Sequence, residues 1–245
     1  MPCMPLMWYI SACVSCAKHG YSFKINRQKG WLVNMAYFPF FIELEGKECL
    51  VVGGGDVAFR KIRELLPFGV NITVVSLEIC ESIRDLAGEY SGQMKLLCRG
   101  YEIKDLEQKF FVIAATDNEE CNREISEYCR RERILVNVVD DKEKCSFYFP
   151  SLVKQGDIVA GFSSGGNSPA LIKKLRQELQ GQIPDYFGIL NERLGQIRPQ
   201  VKKAFPTEQQ RKQYYDLVIH KSREQSGALS IQEMEELIHK GFTQS

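Results

Sequence analysis

An α/β fold, built as a parallel sheet wound by helical crossovers, is predicted by three observations. Short apolar runs recur between segments of helical spacing. The first of these runs, Leu50-Val51-Val52, ends in three glycines and then switches to helical spacing. Past residue 146 the alternation gives way to two runs joined by a tight turn, and then to helices alone. Strands separated by helices must run parallel, with any ligand at the carboxyl edge of the sheet.

The elements follow in order. Residues 48–52 form the first expected strand, 57–67 the first helix, 71–75 the second strand and 78–90 the second helix. Residues 95–99 read as the third strand and 104–108 as a short helix. The wholly apolar 110–115 is the fourth strand, 119–133 an amphipathic helix and 134–139 the fifth strand. Then Leu152-Val153 and residues 158–162, joined at Gly156-Asp157, read as an antiparallel pair. Ser163-Ser164-Gly165-Gly166-Asn167-Ser168-Pro169 is a polar loop opening onto a helix, with Ser168 at the N-cap and Pro169 at the first helical position. Residues 186–204 and 207–224 are helical, Ser226-Gly227 reads as a hinge, and 231–239 is a last amphipathic helix.

Composition narrows the partners. With 32 Lys and Arg against 31 Asp and Glu, the net charge of +1 gives no global field toward nucleic acid or a membrane. Nine cysteines scattered through strand-like and helical segments favour reduced thiols in a cytoplasmic protein. Cys13 and Cys16 are the one close pair, with no histidine at ligand spacing, so no metal site is expected. Residues 4–17 are apolar, but no Lys or Arg precedes them and a stop-transfer length is lacking. The expectation is an N-terminal extension over residues 1–34, outside the fold, with the Met35-Ala36-Tyr37 start feeding the first strand; a targeting peptide is the competing reading.

The carboxyl edge supplies the candidate site. Gly53, Gly55 and Ala58 fit the G-x-G-x-x-G/A pattern: one residue for the tight turn, one to admit a pyrophosphate against the backbone, one small for helix packing. The helix beginning at Asp56-Val57 aims its free N–H groups at that turn. A glycine-rich turn after a strand is also often only a turn. After the second strand stand Ser76, Leu77 and Glu78, where a dinucleotide site commonly has an acid, and no Arg or Lys stands there to meet a 2′-phosphate. NAD is therefore favoured over NADP. Leu77 and Glu78 read either as adenosine contacts or as the acidic start of a helix. Thr116-Asp117 ends the fourth strand. Asp140 ends the fifth, where an apolar strand beside a carboxylate suits it to act as a base; Asp140-Asp141 as a turn or cap pair is the alternative.

Six ordered motifs carry a resemblance: Tyr37-Phe38-Pro39, residues 51–58 with Arg60-Lys61, residues 114–117, Asn137-Val138-Val139-Asp140, Phe149-Pro150-Ser151 and residues 163–169. Over residues 37 to about 215 the chain resembles the precorrin-2 dehydrogenase and sirohydrochlorin ferrochelatase family, of the siroheme synthase N-terminal domain type. The resemblance implies a Rossmann-like parallel sheet, a small antiparallel dimerisation region and a C-terminal helical domain. It implies NAD-dependent oxidation of the tetrapyrrole precorrin-2 to sirohydrochlorin by a homodimer, with ferrous iron a further substrate in members that also make siroheme. Asp56, Val57, Leu77 and Glu78 fall on the family's NAD contacts, Asp140 on its catalytic aspartate, and Ser164 on a serine phosphorylated in some members. Residues 226–245 leave no room for the methyltransferase domain of longer members, so methylation is expected of another protein.

The expected division is a NAD-binding domain over 35–145, a dimerisation and substrate-loop region over 146–180 with Ser164, Gly165, Asn167 and Ser168 facing substrate, and a helical domain over 181–245. Lys173, Lys174, Arg176, Arg193, Arg198, Lys202, Lys203, Arg211 and Lys212 are candidate partners for substrate carboxylates. Outside this class, the chain also resembles an NAD-sensing regulatory module of the potassium-transport type. Such modules share the Ala114-Ala115-Thr116-Asp117-Asn118 phrase but usually carry an acid after strand two and lack the loop at 163–169.

Overall fold

The computed structural model describes residues 38–240. The expected extension at 1–34, with Cys13, Cys16 and His19, lies outside the described residues, as does Tyr37. From Pro39 onward the described residues belong to one compact unit.

Five parallel strands form the central sheet: β1 (Glu48–Val52), β2 (Asn71–Ser76), β3 (Met94–Cys98), β4 (Phe111–Ala114) and β5 (Leu135–Val138), in the spatial order β3-β2-β1-β4-β5. Strand order reverses between β1 and β4, which pair Val51 with Ile113 and Val52 with Ala114. The runs are apolar at nearly every position because both faces are covered. Cys49 and Val51 enter one core with Ile62 of α1 (Asp56–Leu65) and Ile83 of α2 (Glu81–Glu89). Leu50 and Val52 enter another with Ile125 and Cys129 of α3 (Glu119–Glu132).

Two expected helices differ. The second begins at Glu81, not residue 78, because the Cys80 N–H donates to the Gly54 carbonyl at 2.8 Å and holds Cys80 extended against the first turn. The short helix expected at 104–108 is a 3₁₀ turn, Ile103–Leu106, closed by a capping box between Glu102 and Asp105.

After β5 the chain forms the antiparallel pair β6 (Ser151–Gln155) and β7 (Ile158–Phe162), with Val153 opposite Ala160. Helix α4 (Pro169–Gln182) starts where the sequence places it: Ser168 Oγ accepts from the Leu171 N–H. None of its side chains is buried, and Leu171 is 54% exposed. Helices α5 (Tyr186–Ala204), α6 (Glu208–Glu224) and α7 (Ile231–Lys240) have a core of their own around Leu190, Ile197, Tyr214, Val218 and Met234.

Ser226-Gly227 is a tied turn and not a hinge. Ser226 adopts φ 51°, the Gly227 N–H donates to the Ser222 carbonyl, and Arg193 donates to the carbonyls of Ala228 and Leu229 at 2.9 Å each. Arg211 likewise donates to the carbonyls of Phe205 and Pro206. Two of the expected substrate cations therefore serve the bundle's backbone. Among the described residues no helix is long and apolar enough to cross a membrane.

Tyr214 is 1% exposed, and its hydroxyl donates to the Met234 carbonyl at 2.9 Å. Burial pushes its phenol up to about 12, so it stays a donor. Tyr214→Phe is expected to lower stability by about 1 kcal/mol, read as a shift of the urea midpoint with the α7 amides losing hydrogen-exchange protection first.

Candidate functional site at the carboxyl edge of the sheet

The β1–α1 turn is held by close backbone approach. Gly53, at φ 118°, donates to the Val75 carbonyl, and a Cβ there would lie 2.2 Å from the Ala115 carbonyl oxygen. A Cβ on Gly54 would lie 2.1 Å from the Glu78 carbonyl oxygen. Gly55 has open space where its Cβ would be and is the N-cap of α1, with no side chain satisfying that helix end. The assignment of Gly53 to the tight turn and Gly55 to open approach by a ligand fits this geometry. Gly54, which the pattern treats as a spacer, is as sterically constrained as Gly53. Ala58 is fully buried beneath the helix.

The other strand ends gather beside this turn. Leu77, 78% exposed, and Glu78 lie in the loop after β2, before α2 begins. Glu78 is thus not a first-turn helix residue; its carbonyl is what Gly54 packs against. The fold also brings a guanidinium here: Arg84 of α2 donates to the Ile79 carbonyl and reaches the Cys98 sulfur at 3.8 Å. Cys98 pairs with Ser76. The expectation of no cation near this strand end holds for adjacent sequence and fails in space, because one turn of α2 carries Arg84 back over β2 and β3.

After β4, Thr116 is fixed by its own loop. Its hydroxyl donates to Asn122 Oδ1 at 2.7 Å, and Asn122 Nδ2 returns a bond to the Thr116 carbonyl at 2.8 Å. Asn118 caps α3 through the Cys121 N–H. Asp117 is exposed at the tip.

After β5, the Val139 N–H donates to the Ala114 carbonyl, setting this turn beside the one after β4. Asp140 is exposed, with φ 59°. Among the described residues its carboxylate has no hydrogen-bond or ion-pair partner, and the apolar surroundings expected for it are not supplied by this chain alone. The turn-and-cap role falls on Asp141. Lys144, at 2.6 Å, holds that carboxyl below the usual carboxylate range, and it also accepts from the N–H groups of Glu143 and Lys144.

The serine-glycine loop is tethered to this turn by Lys142, whose Nζ donates to the Gly165 carbonyl at 2.6 Å. Ser164 Oγ accepts from the Ser168 N–H, Ser163 Oγ from the Gly165 N–H, and the Asn167 N–H donates to the Ser164 carbonyl. Ser164 and Ser168 therefore brace the loop and the start of α4, while Asn167 is exposed. Lys142 and Asn122 escaped the sequence reading because each acts across a turn whose shape only the fold defines. A cleft of about 710 Å³ lined by Gln182, Asp185, Tyr186, Phe187 and Arg223 lies among the helices and includes none of the strand-end residues. The strand ends are the better candidate, because a phosphate chain needs exposed N–H groups along a shallow edge more than an enclosed volume.

Gly54 and Gly55 can be separated by the same substitution. Gly54→Ala drives a methyl into the Glu78 carbonyl and is expected to cost about 1–3 kcal/mol, whereas Gly55→Ala enters open space and costs less than about 1 kcal/mol. Urea denaturation of both variants checks this; equal losses would contradict the geometry.

Comparison with known proteins bears on the fold that carries this edge. Residues 40–151 match the family described as putative NAD(P)-binding. The chain is 39% identical over 185 residues to siroheme synthase of Pseudoalteromonas atlantica, covering 76% of this chain and 40% of that protein. It is 37% identical over 189 residues to siroheme synthase 2 of Yersinia enterocolitica, covering 77% and 40%. The chain thus spans about two-fifths of the length of these relatives. Among solved structures, SirC, precorrin-2 dehydrogenase, superposes with a TM-score of 0.65 at 22% identity, over 83% of this chain and 100% of that one, and so shares the fold. By these similarities residues 40–151 match a putative NAD(P)-binding family, and the chain resembles about two-fifths of the length of the siroheme synthases.

Proposed function

We propose that the chain oxidises precorrin-2 to sirohydrochlorin with NAD as the acceptor. The observation that carries the reading is the juxtaposition at one sheet edge of an open helix start at Gly55, with no side-chain cap, and an exposed carboxylate at Asp140 that has no partner among the described residues. The residues fit the cofactor: Gly53 and Gly54 press their loop into its neighbours, and Gly55 leaves the side toward α1 clear.

In this reading Gly55, Asp56 and Val57 meet the pyrophosphate through backbone N–H groups, while Gly53, whose N–H is given to the Val75 carbonyl, shapes the turn they stand on. Leu77 and Glu78 flank the adenosine, and Thr116 and Asp117 border the passage toward the nicotinamide. NAD, when bound, supplies the hydride acceptor. Oxidation removes two hydrogens; one leaves as hydride and the other as a proton, which Asp140 takes. The loop bearing Ser164, Gly165, Asn167 and Ser168 faces the substrate, held to the Asp140 turn by Lys142. Lys173, exposed on α4 beyond that loop, is a cation suited to a substrate carboxylate.

The chain is proposed to act as a homodimer through residues 146–180. Support comes from α4, which buries no side chain and exposes Leu171 and Leu175, and from a sheet of only two strands beside it. The described residues up to 145 then hold NAD and those from 181 to 240 form the helical domain.

Anaerobic incubation with precorrin-2 and NAD, followed by sirohydrochlorin absorbance and NADH formation, tests the reading. NAD binding without NADH formation would favour the NAD-sensing alternative and overturn catalysis. Asp140→Ala is expected to slow oxidation by about 10²–10⁴-fold while NAD affinity is unchanged; wild-type turnover in that variant would remove Asp140 as the base.

A further inference from the structure

β5 carries one polar residue in an apolar run. Asn137 is 7% exposed, and a buried amide is retained where its groups find partners. Its Nδ2 donates to the Phe147 carbonyl at 3.1 Å and reaches the Cys145 sulfur at 3.6 Å. Both partners lie outside the sheet, in the segment that returns along β5 after the Asp140 turn.

Cys145 works from the other side. Its sulfur accepts from the Val138 N–H at 3.2 Å and lies 3.2 Å from the Val138 carbonyl and 3.1 Å from the Asp141 carbonyl, which share its single proton. Burial pushes the thiol up, so that proton is retained. One residue on, Ser146 Oγ accepts from the Val136 N–H at 2.8 Å, and the Ser146 N–H donates to the Val136 carbonyl. β5 is the outermost strand, so these contacts occupy the backbone groups that an edge strand would leave open. The returning segment is pinned in turn to α3, by Ser126 Oγ donating to the Lys144 carbonyl and Arg130 to the Glu143 carbonyl.

Enclosed by these contacts is the turn from Val138 to Asp141. Its third residue, Asp140, stands at φ 59°, a conformation that an L side chain adopts only where its surroundings hold it. A sulfur bonded to both ends of a turn, at Val138 and at Asp141, fixes the residues between them. We propose that Asn137 and Cys145 are positioning residues for the catalytic step: they lock the backbone of the Val138–Asp141 turn and so aim the Asp140 carboxylate. The proposal rests on the reading of Asp140 as the base. Neither side chain touches substrate or cofactor; both act through Asp140.

The test compares Cys145→Ala, Cys145→Ser and Asn137→Leu in the full chain. Three readouts are taken: hydrogen exchange of the Val139 and Asp141 amides, NAD affinity, and single-turnover oxidation of precorrin-2. Cys145→Ala and Asn137→Leu are expected to speed exchange at these two amides relative to the β1 amides and to slow oxidation by about tenfold or more, with NAD affinity unchanged. Cys145→Ser keeps one donor and one acceptor and is expected to recover most of both losses. Faster exchange with wild-type oxidation makes the contacts merely structural and overturns the proposal, as does a rate loss matched by loss of NAD affinity, or a serine variant no better than alanine. An inactive wild-type chain removes the function reading and this proposal with it; an active wild type with unaltered Cys145→Ala and Asn137→Leu removes this proposal alone.

Discussion

The site depends on the absence of two methyl groups. At Gly53 and Gly54 the β1–α1 turn is wedged between the Ala115 carbonyl on one side and the Glu78 carbonyl on the other, each nearer than any Cβ could tolerate. Backbone bonds close the wedge: Gly53 to Val75, Cys80 to Gly54, and Ala115 to Val52. Three loops from three strands are thereby interlocked by backbone alone. Since backbone atoms have no rotamers to adjust, the shape of the edge is set by these contacts without a ligand, which lowers what binding must order. The adjacent Gly55 takes no part in the wedge, which leaves its side of the turn to the ligand.

Charge is distributed by the same logic. A chain of net charge +1 that is proposed to bind polyanions must keep some cations from being consumed by its own structure. Arg193 and Arg211 satisfy carbonyls of the helical bundle, and Arg99 is bound bidentately by Asp105 at 2.6 and 2.7 Å. Lys61 is lowered by burial and lies over the Phe149 ring at 4.1 Å, where its stem helps dock the segment before β6. Lys173 is exposed, and Lys174 has only a distant pair with Glu178 at 4.0 Å. Two exposed lysines thus stand near the start of α4, next to the serine-glycine loop, where the proposed anion recognition needs no global field.

Much of this was legible where local chemistry decides the outcome. The apolar runs gave β1 to β5 within about a residue or two, because strands covered on both faces have few polar positions to confuse the pattern. Ser168 and Pro169 mark the start of α4 because capping is satisfied within one turn of chain. The reading failed where a backbone group is used at long range. Residues 78–80 carry helical spacing, but the Cys80 N–H is committed to Gly54, so α2 starts late. Arg84 is eight residues past the end of β2 in sequence and beside it in space. Ser226-Gly227 has the composition of a hinge, and the Gly227 bond to Ser222 together with the Arg193 bonds to Ala228 and Leu229, from more than 30 residues away, makes it a fixed turn.

Asp140 joins the two halves of the argument. Its turn is held to the sheet through Val139 and Ala114, and to the serine-glycine loop through Lys142 and Gly165. That loop ends at Ser168, the cap of α4. Whatever covers the exposed apolar face of α4 therefore acts on a chain of contacts leading to the carboxylate. The chain alone leaves Asp140 in solvent, whereas the proposed role as a base would gain from the exclusion of water. A second copy seated on α4 would bury Leu171 and Leu175, steady the loop at its helical end, and help close the solvent side of the Asp140 turn. Assembly and catalysis would then be linked through one loop of seven residues, 163–169, which accounts for a polar, glycine-rich segment joining the antiparallel strands to a helix that buries nothing of its own.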